Sequence, residues 1–200
     1  MPSRTERRPR KAVIALALAA TLPLAAVSTA AAAAAGPGAN ARPDATASAG
    51  HATRWPVRVR GEVARPGTFT LERLRKLPQH RLKVRYGTSG GTETHEFSGP
   101  LLLDVLNAAG PSFDPGIRND ALRHFVAVTG SDGYRAIVSW GELDPSFAGT
   151  KVLLALRQDG KPLDKDGPRL VVPGDAKGGR YVGGVTDLHL GSADDVVGRG

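Results

Sequence analysis

Phe125-Val126-Ala127-Val128-Thr129-Gly130-Ser131-Asp132-Gly133-Tyr134-Arg135-Ala136-Ile137-Val138 carries a good hairpin signal. Two apolar runs flank Gly130-Ser131-Asp132-Gly133, and turn residues between strand formers mark a β-hairpin. Ser139 with Glu142 then resembles a capping box for one short turn. Upstream, Val57, Val59 and Val63 alternate with Arg58, Arg60 and Glu62, the pattern of a half-buried strand. Leu82, Val84 and Tyr86 alternate with Arg81, Lys83 and Arg85, a second strand with three cations on one face. A glycine-rich loop, Gly87 to Gly91, leads to a returning strand over Thr94 to Phe97.

Two short helices interrupt the strands. Leu71, Leu74 and Leu77 recur at helical spacing until Pro78. Pro100 suits the first position of a helix carrying Leu101, Leu102, Val105, Leu106 and Ala109, closed by Gly110-Pro111. Further on, Val152 to Leu156, Leu170-Val171-Val172 and Val185 to Leu190 read as strands, with turns at Asp159-Gly160 and Pro173-Gly174. The expected class is α+β, with short strands in mixed sheets or a partly closed barrel and two short helices.

Composition is uneven along the 200 residues. Residues 12–50 hold 18 alanines, residues 51–200 only 11, and all ten aromatics lie after residue 51. A packed core therefore belongs to the last 150 residues or so. Arg4, Arg7, Arg8, Arg10 and Lys11 precede an uncharged apolar run from Ala12, the layout of an export signal. The expected organisation is a signal peptide over residues 1–35, a flexible Ala/Gly/Pro-rich linker over 36–54, a domain over 55–192 and a tail over 193–200. Secretion or another extracytoplasmic location follows, by the general or the twin-arginine route, with no stable membrane span. The formal charge of +8 divides equally between residues 1–50 and 51–200. That is mild for the domain and calls for no nucleic-acid partner. The absence of cysteine excludes a disulfide scaffold, a thiol nucleophile and thiolate metal sites.

Local chemical signals are sparse. Gly87-Thr88-Ser89-Gly90-Gly91 matches G-x-S-x-G, but a strand follows where a nucleophile elbow needs a helix. Gly174-Asp175-Ala176-Lys177-Gly178-Gly179-Arg180 lacks the Lys-Ser/Thr ending of a phosphate loop. Its consecutive glycine amides beside Lys177 and Arg180 read either as an anion nest or as an ordinary exposed turn. The five histidines show no metal-ligand spacing, although His95 and His189 both fall on strands. Asp164-Lys165-Asp166-Gly167 reads as a turn. No residue is assigned as catalytic and none as a metal ligand.

The order of segments carries a resemblance. Val59-Arg60-Gly61-Glu62-Val63 leads to Pro66-Gly67-Thr68-Phe69-Thr70-Leu71. Phe97-Ser98-Gly99-Pro100-Leu101-Leu102-Leu103-Asp104-Val105-Leu106 follows, then Ser131-Asp132-Gly133-Tyr134. Leu153-Leu154-Ala155 and Asp159-Gly160-Lys161-Pro162-Leu163 come next. Gly167-Pro168-Arg169-Leu170-Val171-Val172-Pro173-Gly174 and Gly179-Arg180-Tyr181-Val182 close the series. From Val57 to Leu190 this resembles the oxidoreductase molybdopterin-binding domain of the sulfite oxidase type. The resemblance implies an α+β fold built largely of strands. It also implies molybdenum held by a pterin dithiolene and a protein cysteine thiolate. The corresponding stretch, Val84 to Gly90, contains no sulfur, and Tyr86 or Ser89 would be a harder oxygen donor. The late Gly-x-Arg-x-Val-Lys motif stands here as Gly178-Gly179-Arg180-Tyr181-Val182-Gly183; Arg180 matches and Gly183 occupies the lysine position.

Two readings stay open. One is an exported molybdopterin-dependent oxidoreductase homologue with a degenerate metal site. It would bind molybdopterin or a small anionic ligand through Arg180, Gly178 and Gly179, with Tyr86, Ser89 and Tyr134 around it, and Ser131 beside them. The other is a cofactor-free ligand-binding or protein-interaction module on the same fold.

Overall fold

The computed structural model describes residues 55–197, so the leader and linker expected over residues 1–54 lie outside the described residues, as does the end of the tail. Eleven strands and four helices follow one another in the described part. The first are β1 (Val57–Gly61), β2 (Gly67–Phe69), α1 (Leu71–Arg75), β3 (His80–Thr88), β4 (Gly91–Gly99) and α2 (Leu102–Ala109). The hairpin strands β5 (His124–Gly130) and β6 (Arg135–Ser139) lead to α3 (Trp140–Leu143). Four short strands come next: β7 (Leu153–Ala155), β8 (Arg157–Gln158), β9 (Lys161–Pro162) and β10 (Arg169–Val171). The chain ends with β11 (Val185–Ser192) and α4 (Asp194–Val197).

These strands form three sheets, not a partly closed barrel. The largest has the order β2-β1-β11-β5-β6, a second joins β10 to β7, and the third runs β3-β4-β8-β9. β11, at the chain's end, lies between β1, to which it is parallel, and β5, to which it is antiparallel. In β5 alternate residues face inward, and His124, Val126 and Val128 are buried. The main core packs this sheet against α2, whose Leu102, Val105, Leu106 and Ala109 are all fully buried. A smaller core lies under the third sheet and includes Val84, Tyr86, Phe97, Leu153 and Val171.

Several local expectations meet tertiary corrections. The strand beginning at Val57 stops at Gly61, which takes φ +92°, and Val63 instead bridges to Pro111. Pro100 is not the first helical residue. Leu101 bridges to Leu153, and the Pro100 carbonyl accepts from the Leu154 amide at 2.9 Å, so the helix starts only at Leu102. Much of the supposed glycine-rich loop is strand: β3 and β4 run to a two-residue turn, Ser89-Gly90, with no helix after it. The Ser139–Glu142 capping box is present with both reciprocal bonds. Two helices become four because α3 and α4 are single turns. The tail residues Asp194 to Val197 are thus helical. Among the described residues no helix is long and apolar enough to cross a membrane.

Candidate functional site

The hairpin β3–β4 and the loop after β10 meet at one end of the third sheet. Gly87 donates its amide to the Ala176 carbonyl at 2.8 Å, and Gly87 and Lys177 form an isolated parallel bridge. Gly178 then passes directly under the Tyr86 ring, where a Cβ would lie 2.9 Å from the ring edge. Any side chain at position 178 would push the loop off the hairpin. The result is a cleft of about 590 Å³.

Its walls are Tyr86, Thr88, Ser89 and Glu93 from the hairpin, Arg169 from β10, and Lys177, Gly178, Gly179 and Tyr181 from the loop. Tyr86 and Tyr181 lie 4.4 Å apart between ring centroids, tilted by 51°. Burial raises both phenols, Tyr181 to about 12; Glu93 adds to the rise at Tyr86. The Tyr181 hydroxyl is shielded from solvent and has no hydrogen-bond partner among the described residues. Arg169 gives one N–H to Gln158 Oε1 at 3.0 Å. Among the described residues, neither Arg169 nor Lys177 is ion-paired with a carboxylate. The cleft thus presents two available cations, two close, mutually tilted phenols that stay protonated at neutral pH, and one carboxylate.

That carboxylate is itself compensated. His95 stands between Glu93 and Asp159, with Nε2 3.2 Å from Glu93 Oε2 and Nδ1 2.6 Å from Asp159 Oδ2. The bond to Asp159, working against partial burial and helped by Glu93, holds the imidazole above its ordinary value. Asp159 is held low, first by the Glu96 amide and then by His95. A histidine raised on folding contributes stability that is complete below its ordinary value of about 6.5 and is lost as pH rises through the folded value. His95 is therefore expected to titrate above a free histidine in an NMR pH series, and Asp159→Asn to bring it back down. A wild-type midpoint at or below the free value would contradict this geometry.

Five of the residues singled out from sequence, Tyr86, Ser89, Lys177, Gly178 and Gly179, come together in this cleft. Ser89 is at the exposed hairpin tip. Tyr134 is outside the lining, half exposed, and its hydroxyl donates to the Gly179 carbonyl at 2.5 Å. Ser131, in the β5–β6 turn, donates its amide to the Gly184 carbonyl. Arg180 is also outside the lining. It grips Asp175 with two N–H groups, Nε to Oδ2 at 2.9 Å and Nη2 to Oδ1 at 2.6 Å. Its third, Nη1, reaches Glu142 Oε1 at 2.9 Å. Asp175 chiefly, offset by burial and reinforced by Glu142, raises the guanidinium well beyond its ordinary value. With both its neighbours anionic, Arg180 braces the loop and leaves the anion-facing places to Arg169 and Lys177. Arg169 and Glu93 carried no local signal, because β10, in the sheet with β7, and β4, in the sheet with β3, meet at this loop only through the packing of separate sheets. His95 and His189 lie on different sheets, and His189 Nδ1 is 3.0 Å from Arg60 Nη1.

A second pocket, of about 340 Å³, is lined by Glu62, Asp114, Asp120, Arg123, His124 and Asp194 among others. Its charges satisfy one another: His124 Nε2 meets Glu62 at 2.8 Å, and Arg123 bridges Asp120 and Asp194. No three His, Cys, Asp or Glu side chains converge as a metal site among the described residues.

The model of the family described as the oxidoreductase molybdopterin binding domain matches residues 44–194. The chain is similar in structure to the sulfane dehydrogenase SoxCD from Paracoccus pantotrophus, with a TM-score of 0.57 and 20% identity. The match covers 70% of this chain and 39% of that one, so this chain corresponds to well under half of the dehydrogenase subunit. Comparison with curated protein sequences gives no match.

Proposed function

Since the chain belongs to the oxidoreductase molybdopterin binding domain family, we propose that it is an exported protein whose cleft binds the anionic, planar part of a pterin-type ligand without anchoring molybdenum through the protein. Arg169 and Lys177 would neutralise the anionic end, the amides of Gly178 and Gly179 would add donors, and Tyr86 with Tyr181 would form the apolar wall. The Tyr181 hydroxyl, buried and unpartnered, is a donor and acceptor without a protein partner at that wall.

The metal does not fit the residues present. The sequence has no cysteine, and the hairpin side chains that line the cleft, Tyr86, Thr88, Ser89 and Glu93, offer only hydroxyl, phenol and carboxylate oxygens. A soft, reduced metal centre favours thiolate, and the raised phenols of Tyr86 and Tyr181 are neutral at physiological pH. We derive no redox step at this site. The observation that carries the reading is two cations without a carboxylate partner among the described residues, facing two close, mutually tilted tyrosines in a cleft with no sulfur donor.

The test is to express the full chain in a host that makes the cofactor, then to measure molybdenum by elemental analysis and pterin by release fluorescence. The expected result is pterin without stoichiometric molybdenum, with the pterin lost from an Arg169→Ala, Lys177→Ala double variant. Stoichiometric molybdenum would overturn the proposal. A folded protein free of both would favour the cofactor-free module, a reading the missing sulfur also supports.

A further inference from the structure

The free edge of β3 has a direction. Successive amides along a strand point to opposite edges. Gly87 turns its N–H outward to the Ala176 carbonyl, so the N–H groups of Arg85, Lys83 and Arg81 point to the same edge. The even-numbered residues, down from Thr88 beside the Ser89-Gly90 turn, pair with β4. β3 is the first strand of the order β3-β4-β8-β9, and beyond the bridge at Gly87 no strand pairs with its outer edge among the described residues.

The side chains on that stretch are as ordered as its amides. Arg81, Lys83 and Arg85 are all exposed, whereas Val84 and Tyr86 are buried on the other face and Leu82 is half-buried. Ser98 pairs with both Arg81 and Arg157, which places Arg157 on the same face. Glu96, cross-strand from Lys83, is the one carboxylate there among the described β3 and β4 residues, and it is 3.3 Å from Arg81. Lys83 and Arg85 have no ion-pair partner among the described residues.

We propose that the outer edge of β3 docks an extended acidic peptide of another protein by strand addition, its carboxylates alternating with apolar side chains. Edge amides supply the backbone pairing, Arg81, Lys83 and Arg85 meet the carboxylates, and the half-buried Leu82 side receives the apolar residues. A second copy of this chain is the wrong occupant, because β3 against β3 would set cations opposite cations. This proposal is independent of the cleft's ligand.

The test titrates the full chain with acetyl-(Glu-Val)3-amide, followed by calorimetry and by hydrogen exchange of the Arg81, Lys83 and Arg85 amides. Two further peptides carry N-methyl groups on all Glu or on all Val residues, and acetyl-(Lys-Val)3-amide is the charge control. The expected result is binding of the acidic peptide alone, protection of the three amides, and loss of binding with one of the N-methylated peptides. A Lys83→Glu, Arg85→Glu variant, whose changes are both on the exposed face, should bind about tenfold more weakly. No binding of the acidic peptide overturns the proposal. So does binding that survives both N-methylated peptides, since it would be attraction to a polyanion without strand pairing. Dimerisation through β3 in place of peptide binding would overturn it as well.

Discussion

Gly61→Ala is expected to destabilise the domain by about 3 kcal/mol, combining the left-handed penalty of an L-residue with overpacking against backbone. Gly61 has φ +92°, and a Cβ there would lie 2.0 Å from the Leu190 carbonyl oxygen and 2.8 Å from His189 Nδ1. The oxygen has no freedom to retreat. It already accepts the Glu62 amide at 2.8 Å, and Leu190 sits between β1 and β5 with Val126 as its antiparallel partner. Alanine must therefore unzip the end of the parallel β1–β11 pair or push β11 into the core. The thermal midpoint should fall by roughly 10 °C for a domain of this size. Gly67→Ala is the control, because nothing lies within 4 Å of its Cβ position, and it should change stability by no more than about 0.5 kcal/mol. Equal melting curves for the two variants would refute the account.

Arg180→Ala should cost about 2 kcal/mol, the value of charge-assisted hydrogen bonds discounted for side chains that are about one-third exposed. It leaves Asp175 without its two-pronged partner and Glu142 with only the capping contacts from Ser139. The loss has a pH signature. Burial works to raise the Glu142 carboxyl, but Arg180 and the Ser139 amide outweigh it and leave it below its ordinary value of 4.5. A carboxylate lowered on folding contributes stability above its unfolded value, and that contribution disappears as pH falls through the folded value. The difference between wild type and Arg180→Ala should be largest above about pH 4.5 and shrink in acid. Arg180→Lys keeps the charge but not the fork and should recover only part of the stability. Cleft affinity should weaken in step with loop stability, since Arg180 holds the loop that carries Lys177 and Gly178. Lost ligand binding with unchanged stability would make Arg180 a direct ligand contact instead.

The contrast between Arg180 and its loop neighbours shows which part of the site was legible. The glycine run and Lys177 mark an anion nest because a nest is built from adjacent amides. Arg180 belongs to the same run, yet its role depends on Glu142, 38 residues away. Arg169 is an ordinary strand residue until β10 and the β3–β4 hairpin are placed side by side. Ser89 sits in a hairpin turn, not at a nucleophile elbow, and this is readable locally because a two-residue turn between alternating strands is a local property.

The alternation of β1, β3 and β5, the β5–β6 hairpin, the α3 capping box, the absence of any thiolate and the ordered segments of the family are all readable along the chain. The periodicities, the hairpin and the capping box each depend on residues within a few positions of one another, where sterics and turn chemistry act directly; the missing thiolate and the segment order are properties of composition and order that need no contact. The insertion of β11 parallel to β1, the formation of three sheets instead of a partly closed barrel, and the start of α2 two residues after Pro100 emerge only in the packed fold. It alone also decided that Arg169 and Lys177, not Arg180, face the cleft. Those outcomes rest on contacts such as Gly61 with Leu190 and Leu101 with Leu153. Their energy comes from burying whole faces against one another, and no local window of the chain contains both partners.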